Sequence, residues 1–361
     1  MNQNADKMIK IGSNQNSAWD LVSLGEILLR FDPGDDRIHS ARTFRVHDGG
    51  AEYNVARNLA KVFKRKTAVI TALVNNELGM LAEDLAHQAA VDTSEIIWRD
   101  QTANGQNLRN GLYFMERGFG LRAPNSCFDR SFTAVSQLKT SDIGWTRIFD
   151  ERGARLFHTG GVFAGLSEIC WQTAAAAAEI ARQRGVTVSY DLNYRDSLWK
   201  NRGGKAAANE INRKILPFVD IVFGTIFEDF QPSVSKFDKK AFGLAAARMQ
   251  EEFPNLKIIV STLRDVASAG RHSFGAACFA KSRVTVAKQY RHFDVFDRVG
   301  SGDAFVSGFL HSLLGNQDEM AALDCGAAHA VLTMTTPGDN SSATVSEIAA
   351  LMRDASAVVK R

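Results

Sequence analysis

Short β-branched or apolar runs alternate with amphipathic helical patterns along most of this chain, and that alternation restricts the fold more than any other feature. Leu21–Leu24, Ala68–Ala72, Leu156–His158, Thr187–Tyr190, Ile221–Phe223 and Ile258–Ser261 read as strands. Between them, helical spacing runs over Asn54–Phe63, Leu78–Ala90, Glu168–Arg184, Gly204–Leu216 and Lys239–Glu252. Strands that each hand over to a helix build a mostly parallel sheet covered on both faces, an α/β/α sandwich with ligands at the carboxyl ends of the strands. Two segments break the rhythm. Residues about 27–48 and 108–136 carry aromatic and β-branched residues with turn signals but little helical period, and predict a small projecting β-sheet. Such a sheet serves as a lid over a site, as an edge for a homo-oligomer, or as both. Further on, Ala276–Ala280 and Arg283–Ala287 predict a β pair, and helices are expected over about 319–334 and 345–358.

No Pro/Ser-rich linker divides the 361 residues, so one domain over 18–361 is expected, with residues 1–17 as a polar, disordered tail lacking the apolar stretch of a signal peptide. No run approaches the ~18 apolar residues of a membrane span. The net charge of +3 is small, and the basic residues are interspersed with acids apart from the brief Lys61–Lys66 cluster, so neither nucleic acid nor membrane is expected as a partner. Cys127, Cys170, Cys278 and Cys325 show no CxxC spacing, which argues against a zinc site and a disulfide framework and for a reducing cytoplasm.

The segment Asp297-Arg298-Val299-Gly300-Ser301-Gly302-Asp303 runs straight into an apolar helix carrying Phe305, Val306, Phe309, Leu310 and Leu313. Small residues at 300–302 let backbone N–H groups converge at a helix start, where unpaired donors and dipole favour a phosphate or a developing anion. Asp303, in the first turn, is a carboxylate beside that cradle and able to take a proton from an attacking hydroxyl. Taken alone, the same residues also describe a tight connection with Asp303 as a cap. An ionised acid at the mouth of a buried helix calls for a reason, however. Dinucleotide glycine spacing and a GxxxxGK[ST] loop are both absent. Earlier, Gly49-Gly50-Ala51-Glu52-Tyr53-Asn54 places a glycine pair before a helix, with Asn54 offering donors and an acceptor to a polyol, although a glycine pair is commonly just a turn.

Together the two motifs resemble the ribokinase and phosphofructokinase-B family of carbohydrate kinases, whose signatures have the forms GGxxxNxA and DTxGAGD. The resemblance extends from about Asp20 to the last helix. It implies a ribokinase-like fold with a β lid, Asp303 as catalytic base, and Gly300, Ser301 and Gly302 as an anion hole shared with the nucleotide. Several further stretches look like the 2-keto-3-deoxygluconate kinases of that family: Gly25–Arg30, Gly111–Glu116, Phe128-Asp129-Arg130, Asp191–Arg195, Ser261–Arg264 and Pro337-Gly338-Asp339. By that resemblance Gly49, Gly50, Asn54, Phe128, Arg130, Arg195 and Asp339 bind the sugar, while Asn193, Thr262 and Arg264 bind the nucleotide. The two arginines suit a sugar acid, because a carboxylate calls for guanidinium donors. Arg130 and Arg195 also fit as surface arginines with packed stems, and Asp339 as a turn cap.

The chain departs from the family pattern in three places. Arg298 stands where Thr is usual, Gly224–Phe230 lacks the Asn of the family's Asn-x-x-Glu, and Ser261–Ser268 replaces a TxGxxG nucleotide loop. Glu228, or Asp229 beside it, is left as the expected magnesium ligand, acting through waters, or as a helix-start acid, with Glu228 taken first. The reading that follows is a cytoplasmic kinase moving a phosphoryl group from ATP, with Mg²⁺, to the terminal hydroxyl of 2-keto-3-deoxygluconate. The alternatives are a kinase for fructose, ribose or 5-keto-2-deoxygluconate, or a sugar or nucleotide sensor without turnover.

Overall fold

Each apolar run that is too short for a helix pairs with its neighbours, and each amphipathic stretch lies across them. The computed structural model describes residues 9, 11–12, 17–103, 106–227 and 230–353. The tail expected over 1–17 lies mostly outside them, and of its described members Ile11 is buried against the main core. The N-terminal part forms β1 (Trp19–Leu24), β2 (Leu28–Asp32), β3 (Arg45–Gly49), α1 (Ala51–Lys61), β4 (Thr67–Val74), α2 (Glu77–Gln88), β5 (Val91–Asp92), β6 (Ile96–Arg99), β7 (Thr102–Ala103), β8 (Gln106–Asn107), β9 (Gly111–Glu116) and β10 (Asn125–Asp129). Then follow β11 (Ala154–Gly160), α3 (Gly161–Leu166), α4 (Glu168–Gln183), β12 (Thr187–Asp191), α5 (Asp196–Trp199), α6 (Gly204–Ile215), β13 (Ile221–Phe223) and α7 (Lys239–Glu252). The remainder is β14 (Ile258–Ser268), β15 (Arg271–Ala280), β16 (Arg283–Val286), β17 (Tyr290–Asp294), α8 (Ser301–Leu314), α9 (Glu319–Thr333) and α10 (Val345–Met352).

The main sheet runs β16-β15-β14-β13-β12-β11-β1-β4-β5, parallel from β14 to β5 and antiparallel beyond β14. On one face a core forms from Val22, Phe157, Tyr190 and Val222 with the alanine stripe of α4 and Phe242 and Met249 of α7. On the other face Leu21, Leu156, Ile221 and Phe274 pack against α1, α8 and α9. This is the expected three-layer arrangement, and it seals both sides of the parallel strands from water.

The second, smaller sheet has the order β10-β9-β2-β3, so both unhelical segments contribute to it. Phe31, Phe44 and Phe114 meet on it, with Phe31 and Phe114 stacked at 5.1 Å. Every residue of β10, its edge strand, is exposed. Ala134 and Val135, near the end of the second segment, belong to the main core instead. The tip of the β9–β10 hairpin meets the tip of the β14–β15 hairpin, where the Ala269 N–H donates to the Gly120 carbonyl at 3.2 Å.

Two boundaries depart from the sequence expectations, and a third falls outside the described residues. Helix α1 begins at Ala51 and not Asn54, because Gly50, with φ 134°, turns the chain immediately before it. The segment Ser261–Ser268 is the second half of a long strand and not a loop, since it pairs with β15 from Ser261 to Val266 and again at Ser268, with a shift in register between them. The last helix is described only to Met352, and residues 354–361 lie outside the described set.

Candidate active site

Two helix starts face each other across the carboxyl ends of the parallel strands. At the first, the β3–α1 turn is restricted to glycine: a Cβ on Gly50 would lie 1.9 Å from the Glu26 carbonyl oxygen, and one on Gly49 would lie 2.6 Å from the Asp339 carboxylate. At the second, Gly300 takes φ 73° and a Cβ there would lie 1.7 Å from the Asp339 carbonyl oxygen. Gly302 differs from these. A Cβ on it would meet nothing within 4 Å, so the space beside the first turn of α8 is open. Unpaired amide donors at a helix start beside open volume suit a phosphate oxygen.

Asp303 sits at that start, buried, and Asn54 of α1 donates its side-chain amide to Asp303 Oδ2 at 2.7 Å. Asn54, expected to serve the sugar, therefore joins the two helix starts through the carboxylate. Burial raises the Asp303 carboxyl well above the ordinary Asp value, the Asn54 hydrogen bond and the charge of Arg195 pull it back, and the charges of Asp191 and Asp339 raise it. A carboxylate with raised proton affinity beside an anion cradle has the character of a general base.

Positive charge gathers on the cradle side. Arg264 donates to Ser301 Oγ at 3.0 Å, and that hydroxyl donates in turn to the Arg298 carbonyl at 2.9 Å, which pins the loop before the helix. Burial pushes the Arg264 guanidinium down to about 10, with the neighbouring charges of Arg298 and Arg195 adding to the effect. Three guanidiniums that repel one another are stabilised by a polyanion among them. Arg195 is exposed, just before α5. Thr262 lies half-buried on β14, and Asn193, with φ 31°, follows β12 with its N–H donating to Asp191 Oδ1 at 3.1 Å.

On the other side lies the small sheet. Arg130 Nη1 is 3.6 Å from Glu26 Oε2, and its guanidinium lies over the Phe128 ring at 4.5 Å. Phe128 stacks on Tyr113 at 5.3 Å. Below them is a buried acidic floor. Burial lifts Glu26 above its ordinary value, Glu52 to about 7 and Asp191 to about 6. Glu52 Oε1 accepts the Phe163 N–H at 2.9 Å.

Asp339 departs from expectation. It neither caps a turn nor points a free carboxylate at the site, because Arg30 and the Tyr113 hydroxyl both donate to it. Arg30, Asp32, Asp48, Tyr113 and Glu52 were not assigned roles from the sequence. For Arg30 a signal existed: it interrupts the apolar run Leu28-Leu29-Arg30-Phe31, and Asp32 two residues on shares its face.

The open cradle at Gly302 and the arginines around it fit the phosphates of a nucleotide. Magnesium is bound chiefly by such phosphates, with one or two carboxylates. Of this chain's acids Glu228 is the expected ligand, and it lies outside the described residues; among those described no cluster of three His, Cys, Asp or Glu side chains forms a metal site. Among the described residues, too, no helix is long and apolar enough to cross a membrane.

A model of the pfkB family of carbohydrate kinases matches residues 19–345. The chain is 28% identical over 343 residues to 2-dehydro-3-deoxygalactonokinase of Haloferax volcanii, covering 95% of this chain and 99% of that one. It superposes on 2-dehydro-3-deoxygluconokinase of Thermotoga maritima with a TM-score of 0.81 at 29% identity, covering 92% of this chain and 99% of that one. A sugar kinase of Pyrococcus horikoshii, solved in complex with ATP, shares the fold at 18% identity with a TM-score of 0.67, covering 88% of this chain and 93% of that one.

Proposed function

Since the chain belongs to the pfkB family of carbohydrate kinases, matched over residues 19–345, we propose that it transfers the γ-phosphoryl group of ATP to the terminal primary hydroxyl of a 2-keto-3-deoxy sugar acid, 2-keto-3-deoxygluconate foremost. The observation that carries the reading is the buried Asp303 carboxylate, held by Asn54 and standing beside the open cradle at Gly302. Asp303 takes the proton of the acceptor hydroxyl as the oxygen attacks phosphorus. Amides at the start of α8 hold charge on the migrating phosphoryl group, and Arg264, with Thr262 and Asn193 nearby, holds the nucleotide. Bound magnesium, with Glu228 as its expected protein ligand, would neutralise phosphate charge.

Gly49, Gly50 and Asn54 line the acceptor's approach, while Arg195 and Arg130 supply cations for its carboxylate and Phe128 an apolar wall. Guanidinium donors for a carboxylate favour an acid over a neutral sugar. The names of the Haloferax and Thermotoga relatives support the same substrate class. The small sheet acts as the lid, and its exposed edge β10 offers a surface to a second copy. Four free cysteines suit a reducing cytoplasm.

An acceptor panel with MgATP, followed by ADP release, tests this. A 2-keto-3-deoxy acid should exceed fructose and ribose in kcat/KM by about 10²-fold, because a neutral sugar offers the two guanidiniums no carboxylate to bind. Equal or better turnover of a neutral sugar would overturn the assignment of the arginines.

A further inference from the structure

Arg30 is a cation with no route to solvent. It lies on β2 of the small sheet with 0% exposure. Its guanidinium reaches three carboxylates: Nη1 to Asp339 Oδ1 at 2.9 Å, and Nη2 to Asp297 Oδ2 at 2.6 Å and Asp32 Oδ2 at 3.1 Å. Asp32 lies two residues on along the same strand, whereas the other two come from distant parts of the chain. Asp297 opens the loop into the cradle, and Asp339 sits in the turn after α9.

Both partners shape Gly300. The second oxygen of Asp297 accepts the Val299 N–H at 3.1 Å, so the carboxylate that Arg30 grips also sets the turn that delivers Gly300 at φ 73°. Asp339 forms the opposite wall, its carbonyl oxygen 1.7 Å from where a Cβ on residue 300 would stand. One guanidinium thus spans the small sheet and both sides of the cradle. A fully buried ion cluster is weak evidence for stability, because apolar residues of similar volume commonly serve as well. What apolar residues cannot reproduce is a planar fork that fixes several carboxylates at set angles.

We infer that Arg30 is a positioning residue for phosphoryl transfer: acting from the lid sheet through Asp297 and Asp339, it holds the cradle in the geometry that aims the first amides of α8 at the phosphate. The inference rests on the cradle reading given under the proposed function. Arg30 has both terminal amino groups engaged by carboxylates and is sealed from the cleft, so it contributes to turnover and not to sugar affinity.

Arg30→Lys keeps the charge but loses the fork, and Asp297→Asn weakens one grip while leaving Arg30 paired with Asp32 and Asp339. Each should lower kcat per folded molecule by about 10²-fold, the order expected for sub-ångström to ångström misplacement of a reacting group, with KM for the sugar acid changed less than about threefold. The double variant should fall no more than about threefold below the weaker single one, since the two residues act as a unit. If Arg30→Lys does not fold, Asp297→Asn carries the test by itself. A kcat within about threefold of the parent in folded variants, a loss confined to KM, or a double loss equal to the product of the singles overturns the inference. Gly302→Val separates the two readings. If it abolishes turnover while Arg30→Lys and Asp297→Asn do not, only the role of Arg30 fails; if Gly302→Val turns over normally, the cradle reading fails and the role of Arg30 falls with it.

Discussion

At the scale of single residues, burial raises the Asp303 carboxyl and its neighbours pull in opposite directions on top of that, and each neighbour can be moved separately. Asn54 donates to its charged form, so Asn54→Ala should raise the Asp303 pKa further. The acid limb of the kcat profile then shifts to higher pH, with activity recovered as pH rises. A pH–rate series on the variant checks this, and an unshifted limb would remove Asp303 from the rate-determining ionisation. The two glycines of the cradle should behave in opposite ways. Gly300→Ala forces a Cβ into the Asp339 carbonyl from a left-handed backbone and should cost more than about 2 kcal/mol in thermal unfolding. Gly302→Ala meets nothing within 4 Å, so its melting temperature should be unchanged while kcat/KM for ATP falls. Gly300, Gly302 and Asp303 were legible in the sequence because their meaning is local, contained in seven consecutive residues. Arg30 was not, because its partners Asp297 and Asp339 lie 267 and 309 positions away and only the fold brings them together.

At the scale of elements, α8 owes its rigidity to burial on nearly all sides. Phe305 is 0% exposed and packs its ring among Phe223, Phe274 and Phe309 at 6.1–6.2 Å. Phe305→Ala should therefore cost about 3–5 kcal/mol in denaturant unfolding, by lost transfer energy and a cavity that close packing prevents from collapsing. Glu52 of α1 provides a pH test. Its folded pKa of about 7 exceeds the ordinary 4.5 because burial disfavours the charge. The unfolded chain then holds fewer protons between those values, so the contribution is full below about 4.5 and is lost as pH rises through about 7. Glu52→Gln removes that dependence. Its stability relative to the parent should rise between pH 4.5 and 7 by on the order of 2–3 kcal/mol, and a gap that stays constant would contradict the buried, neutral-favouring site. Element types were readable from period and length, since α4 and α7 match their expected spans closely. The extension of β14 to Ser268 was not, because a family loop motif was expected where cross-strand pairing with β15 prevails.

At the scale of the whole molecule, the Asp303 carboxylate at the start of α8 is joined to the start of α1 by Asn54 and feels the charges of Asp191, at the end of β12, and of Asp339 and Arg195. The three-layer architecture followed from alternation alone. The tie between the small sheet and the cradle did not, since it consists of one buried arginine and not of any repeated pattern. In the proposed function the acceptor and the phosphate both meet Asp303, so changing that residue tests the proposal as a whole. The direct measurement is turnover of Asp303→Asn with a 2-keto-3-deoxy acid and MgATP, read beside calorimetric binding of the same acid. Loss of a positioned general base predicts a kcat lower by about 10²–10⁴-fold with acid binding held within about threefold. A folded Asp303→Asn enzyme that turns over at near the parent rate would contradict the account.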